Sequence, residues 1–397
     1  MKNHLLPILL GSLLLACNSE APTAANESAI QNETEMKSTT NIEKPSAAFI
    51  GTYTRKEGHV DGQADGIYQF SLEGEEWQQQ KTVASIINPS FVVASPDGSY
   101  LYAVSELAQE HEPNGFVYAY RIGADSLQLL NRLSTGGRAP CHLSFDREAR
   151  YIFVANYLDG VVQMYRRNDD GSLSLSDSIN PQTATGETVA RESNLHSVKV
   201  SPDNRLAFIA DKGTDKVWIY EMDHAAGKLM PFAQPYVEVQ RGAGPRHLAW
   251  SADGRFCYVI NELDNTINVI AHDAVSDRFQ SVQSISTLPK GYTAASACAD
   301  LHLHPNGRFL YGSNRGHDSI AMLAIDADTG LLTSLGQEAT RGVFPRNFAI
   351  DPFGKYLYAA NQNSDNISVF SIDANTGVLT FTEREIKVPT PVCIEWL

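Results

Sequence analysis

Arginine and histidine recur at matched places along this sequence: Arg246, Arg315 and Arg346, joined by His142, His196, His247 and His317. Their carboxylate companions are Glu106, Glu262 and Asp300. A guanidinium presents a planar fork of donors that fits a carboxylate or phosphate through two parallel bonds. In a chain of formal net charge −15, such a cluster implies a local pocket for a small anionic molecule. The same negative balance argues against nucleic acid, whose phosphates require a basic stripe. The plainer alternative is that each arginine ties neighbouring segments together through Glu262 or Asp300.

Other chemistries lack their signatures. No Gly-x-Ser-x-Gly elbow occurs, and no cysteine has an evident histidine companion. Cys141, Cys257, Cys298 and Cys393 fall on expected strands and read as buried thiols. Five cysteines without a Cys-x-x-Cys pair argue against a zinc site. His302 and His304 share a strand face, but His304 falls at a turn of the repeat, so neither a metal nor a cofactor is expected.

The elements that position these groups come from repetition. After residue 47 the chain repeats itself with a period of about 50 residues. Tyr100–Ser105, Tyr151–Asn156, Leu206–Asp211, Phe256–Asn261, Phe309–Asn314 and Tyr356–Asn361 are copies of one β-rich run. Each follows a turn such as Asp253-Gly254, Asn306-Gly307 or Phe353-Gly354. Four short strands in that span make one propeller blade. The strand before the turn begins at Pro89, Pro140, Leu195, Pro245, Cys298, Pro345 and Pro391, which gives seven copies. The last has no downstream partners, and the partners it needs, Ala48–Tyr53 and Ile67–Phe70, stand at the other end. The sequence therefore predicts an all-β, seven-bladed β-propeller over residues 47–397, its ring closed by the C-terminal strand joining the N-terminal blade. An α/β alternative would need helices where the gaps are rich in Gly, Asp, Asn and Thr.

Seven internal copies separate scaffold from chemistry. Thr52, Ser105, Asn156, Asp211, Asn261, Asn314 and Asn361 end the second strand, and all are small and polar, suited to tying down their own turns. The next position varies widely: Tyr53, Glu106, Tyr157, Lys212, Glu262, Arg315 and Gln362. On the inner strand, Val92, Leu143, Val198, Leu248, Leu301, Phe348 and Ile394 are uniformly apolar. The two positions following the strand start vary, and they hold His142, His196, Arg246, His247, Asp300 and Arg346. In a propeller both variable sets lie at one mouth of the central channel, the natural place for a pocket.

Particular runs now carry a resemblance. Cys141-His142-Leu143, Gly244-Pro245-Arg246-His247-Leu248, Asn261-Glu262-Leu263, Asn314-Arg315-Gly316-His317-Asp318-Ser319 and the closing Val388–Cys393 resemble the bacterial seven-bladed propeller lactonases. That family includes propeller-type 6-phosphogluconolactonases and is related to the fungal carboxymuconate-lactonizing enzyme. The chain departs from its usual pattern at Asn194, where a histidine is common, and at Asp300, where a glutamate is. The resemblance implies hydrolysis of a ring ester without a covalent intermediate, with His196, Arg246, Glu262 and Arg315 as the catalytic set. Glu262 or His196 would deprotonate water, Arg246 and Arg315 would stabilise the oxyanion, and a histidinium would protonate the leaving alkoxide. Glu106, His142, His247, Asp300, His317 and Arg346 would contact the substrate, a small anionic or sugar lactone. A non-catalytic propeller that binds a carbohydrate or a protein at the cell envelope is the competing reading.

The N-terminus reads as an address. Residues 1–17 comprise a short basic start, an apolar run too short to span a membrane, and Leu14-Leu15-Ala16-Cys17. This resembles a lipobox with Cys17 as the lipidated residue, although an ordinary signal peptide with a chance cysteine would look similar. Asn18 rather than aspartate after Cys17 points to the outer membrane. Residues 18–46 are polar and aperiodic and read as a tether. The expectation is an exported lipoprotein on the periplasmic side of the cell envelope.

Overall fold

The computed structural model describes residues 46–73, 76–109, 113–124, 126–184 and 191–397. The expected signal segment, Cys17 and all but the last residue of the expected tether lie outside them.

Seven four-stranded antiparallel sheets form the propeller, together with a two-stranded hairpin, Lys56–Glu57 and Val60–Asp61. Blade one runs from Val92–Ala94 to Leu127–Ser134 and blade two from Pro140–Phe145 to Leu173–Ile179. Blades three, four, five and six begin at Leu195–Val200, Pro245–Trp250, Ala297–Leu303 and Pro345–Ile350. Blade seven joins Pro391–Trp396 to Ala47–Thr52, Ile67–Glu73 and Glu76–Ala84. The expected closure is therefore present: Ile50 pairs with Ile394 and Ala48 with Trp396. Trp396 packs edge-on against Tyr358 and Trp77 at ring distances of 5.0 and 5.7 Å, locking blade seven onto blade six.

Position in the blade explains the sequence pattern. The second strands, such as Tyr151–Asn156 and Phe256–Asn261, are buried at every residue because neighbouring blades cover both faces. Outer strands such as Leu379–Lys387 are exposed at alternate residues along most of their length, and their sequences alternate accordingly. The small polar ring at the ends of the second strands is buried and bonds to local backbone. Asn156 Nδ2 donates to Thr135 O at 2.8 Å, and Thr52 Oγ1 to Gly66 O at 2.7 Å.

One strand starts later than the sequence suggests. Blade one's inner strand begins at Val92, not Pro89, because Asn88 adopts a left-handed φ of 46°. Its side chain donates to Glu57 at 2.8 Å, fixing a turn that carries Pro89–Phe91 outside the ladder. The one helix among the described residues is the single turn Pro181–Ala184.

Candidate active site

A recurring bulge aims the site residues. In blades two, three, four, six and seven, the register slips at the residue after the strand's first position. That residue is Cys141, His196, Arg246, Arg346 or Val392. A bulge leaves one residue outside the ladder and redirects its side chain. The same device recurs at the same place in five blades.

Glu262, immediately after blade four's second strand, gathers three cations. Its Oε1 lies 2.5 Å from Lys212 Nζ, and its Oε2 lies 3.0 Å from Arg246 Nε and 3.1 Å from Arg315 Nη2. Burial alone would raise the pKa of this carboxyl, but the fields of Arg315, Arg246 and Lys212 hold it well below the usual carboxylate range. The guanidiniums are also anchored to backbone. Arg246 Nη1 donates to Ala299 O at 2.5 Å, and Arg315 Nη2 to Cys298 O at 2.7 Å. Burial and the nearby Arg246 push Arg315 down to about 10.

Three imidazoles stand beside this cluster, with His247 centred 5.4 Å from His142 and 5.3 Å from His196. Burial, reinforced by neighbouring cations, keeps all three below the ordinary histidine value, with His247 at about 4. They are therefore uncharged near neutral pH. The Nδ1 atoms of His142 and His196 are buried and have no hydrogen-bond partner among the described residues.

Tyr53 donates its hydroxyl to Glu106 Oε2 at 2.9 Å, and His59 Nε2 lies 3.2 Å from the same hydroxyl. Arg346 stacks over the Tyr53 ring at 5.4 Å and has no ion pair among the described residues. Glu106, Cys141, Arg246, His247 and Arg346 line a cavity of about 10 Å³, room for roughly one water. An open cleft of about 450 Å³ lies beside the hairpin that carries His59. A groove of about 400 Å³ at the turns around Asp97 and Arg167 contains none of these residues.

The structure thus brings together His196, Arg246, Glu262 and Arg315, with His142, His247, Glu106 and Arg346 around them. Two further expected residues have their polar contacts satisfied within the protein. Asp300 is buried, and its oxygens are occupied by His247 at 2.6 Å, His302 at 2.9 Å, Leu301 N at 2.9 Å and Asn347. His317 is not joined to the imidazole cluster: its Nδ1 meets Ser319 Oγ at 2.6 Å and its ring packs on Tyr292. The arginine ties are half as imagined, since Arg246 and Arg315 do hold Glu262, whereas Asp300 binds imidazoles. Burial lowers the pKa of His142, His196 and His247, which favours the neutral imidazole in each. His304 serves its turn, contacting Gly354 O at 2.8 Å. The four cysteines on strands are buried and free, as the sequence suggests.

Lys212, Tyr53 and His59 escaped the sequence reading as site residues. Lys212 and Tyr53 stood in the variable position after the second strand and could have been weighed with their neighbours. His59 sits in a hairpin inserted between the second and third strands of blade seven, where blades two to six have only a short turn, and that departure from the repeat is its signal.

The family description "Lactonase, 7-bladed beta-propeller" matches residues 47–396. Over 354 residues the chain is 31% identical to a Bacillus subtilis protein named 6-phosphogluconolactonase, covering 88% of this chain and 97% of that one. A Formosa agariphila protein of the same name is 33% identical over 310 residues, covering 76% and 86%. Among solved structures, the periplasmic gluconolactonase of Pseudomonas aeruginosa superposes with a TM-score of 0.79 at 30% identity, covering 88% and 98%.

Proposed function

The chain belongs to the seven-bladed β-propeller lactonase family, and from that premise we propose that it hydrolyses a sugar-derived lactone at the channel mouth. The observation that carries this reading is the convergence of Arg246 and Arg315 on Glu262 beside the cavity lined by His247 and Arg346.

The chemistry follows from what each group has left to offer. Hydrolysis places negative charge on the carbonyl oxygen, and fixed donors aimed at that oxygen stabilise it. Arg246 and Arg315 each spend part of their fork on Glu262 and backbone, which fixes them before substrate arrives. Glu262 is the anchor of these cations. Held far below its normal pKa, it is a weak proton acceptor, so water's proton goes instead to an uncharged imidazole of the cluster formed by His142, His196 and His247. Protonated in that step, the imidazolium returns the proton to the ring oxygen as the ester bond breaks. The histidinium needed for the leaving group is thus made during turnover.

Family resemblance supports a 6-phosphogluconolactone-like or aldonic lactone as substrate, and the ion-pair-free guanidinium of Arg346 suits an anionic one. Export through the signal segment and lipidation of Cys17 belong to the same proposal and would favour a lactone met outside the cytosol. A pH-stat screen of δ-gluconolactone, 6-phosphogluconolactone and larger aldonolactones tests the activity. Base uptake above the spontaneous rate supports it, and spontaneous rates throughout would refute it.

A further inference from the structure

Asp300 makes His247 unlike the other two imidazoles. Its carboxylate is buried between the inner strands of blades four, five and six and accepts donors on both oxygens. Oδ1 takes His247 Nδ1 at 2.6 Å and Leu301 N at 2.9 Å; Oδ2 takes His302 Nε2 at 2.9 Å and the amide of Asn347. A carboxylate with this many donors is an acceptor only, so each histidine must present N–H toward it. For His247 this fixes the proton on Nδ1 and leaves the Nε2 lone pair free of a proton. His247 also lines the small cavity, and its Nε2 lies 3.4 Å from Arg246 Nη1, at the edge of bonding distance. His142 and His196 have no such fixing, since their Nδ1 atoms meet no partner among the described residues.

We propose that His247 is the imidazole that takes the proton from water, and that Asp300 is the positioning residue that sets its tautomer and aim. This rests on the lactonase reading and names the base within it. A base oriented by a second group is how hydrolytic sites keep the lone pair on the reacting side. Water's oxygen bonds to the lactone carbonyl carbon as its proton moves to His247 Nε2. The tetrahedral oxyanion lies against Arg246 and Arg315. Collapse breaks the bond to the ring oxygen, which takes the proton back from Nε2–H, and the product is the open hydroxy acid. Around His247 the charged and titratable neighbours are Arg246 from its own strand, Asp300, Lys199 and the rings of His142 and His196, with Glu106, Cys141 and Arg346 lining the same cavity. His302, the outer partner of Asp300, is 41% exposed and reaches away from the cluster.

The test has two arms. In Asp300→Asn an amide replaces the acceptor and can donate to Nδ1, favouring the opposite tautomer. The variant should lose at least about 10²-fold in kcat with KM changed only a few-fold, and its pH–rate profile should shift. A folded Asp300→Asn protein with kcat within threefold of wild type and an unmoved profile would overturn the proposal. The second arm needs no turnover: ¹⁵N NMR of the imidazoles in the wild-type chain should show His247 protonated on Nδ1. Protonation on Nε2 would overturn it, whether or not the variant folds. If wild type hydrolyses no lactone, the functional reading fails on its own, because the tautomer measurement does not depend on activity.

Discussion

The carboxylate of Glu262 lies 3.1 Å from the guanidinium of Arg315 across the boundary between blades four and five. With Arg246 and Lys212 on the same carboxylate, one anion holds three cations in place. Removing its charge leaves those cations facing one another in a buried setting. Glu262→Gln should therefore reduce lactone turnover by about 10²-fold or more. It should also lower stability by about 3 kcal/mol, the scale for stranding one side of a buried ion pair. Melting and turnover on the same sample check both, and an unchanged melting temperature would mean the cations do not depend on Glu262.

Acid should destabilise the fold before it protonates most carboxylates. His247 is held at about 4, and His142 and His196 also lie below the ordinary histidine value near 6.5. For a group whose folded pKa is depressed, the unfolded chain binds protons first, so stability falls as pH drops from about 6.5 toward 4. Glu395, pushed up to about 7 by burial, and Asp264, also raised by burial, work in the opposite direction, whereas His59, lowered by burial, adds to the three histidines. Melting temperature should therefore rise between pH 4 and 6.5 and level off above. His196→Gln should flatten that rise, and an equal slope in the variant would remove His196 from the account.

Ring closure should be energetically decisive. Deleting residues 391–397 unpairs Ala47–Thr52 and removes Trp396 from its contacts with Trp77 and Tyr358. The exposed strand edge should make the truncated protein aggregate or melt far earlier than wild type. Equal melting curves would mean that the last strand contributes nothing.

The anchoring proposal is tested at Cys17. Cys17→Ser should move the protein from the membrane fraction to the soluble fraction or stall its processing, because the thiol carries the proposed lipid. A correctly processed serine variant that still needs detergent for extraction would count against lipidation.

The sequence made the fold legible because the blades repeat. Seven copies set the register, and the missing partners of Pro391–Leu397 showed where the ring closes. The convergence of Arg246, Glu262 and Arg315 was readable from variable positions set against constant ones. What each group does there was not. The sequence shows that Asp300 is charged and near the mouth, but not that His247, His302 and Asn347 consume its oxygens. Nor does spacing show that burial keeps the histidines neutral, or that Lys212 reaches Glu262 from blade three. These depend on side-chain direction and desolvation, which the bulges and blade packing decide.

The central claim is that the fixed guanidiniums at the channel mouth hydrolyse a lactone, and Arg246→Lys tests it most directly. Lysine keeps the charge but cannot hold Glu262 through Nε while donating to Ala299 O through Nη1. In pH-stat assays with δ-gluconolactone and 6-phosphogluconolactone, wild type should consume base well above the spontaneous rate. The folded Arg246→Lys protein should fall by about 10²-fold, roughly 3 kcal/mol of transition-state stabilisation. Wild-type turnover that survives the substitution unchanged would contradict the account.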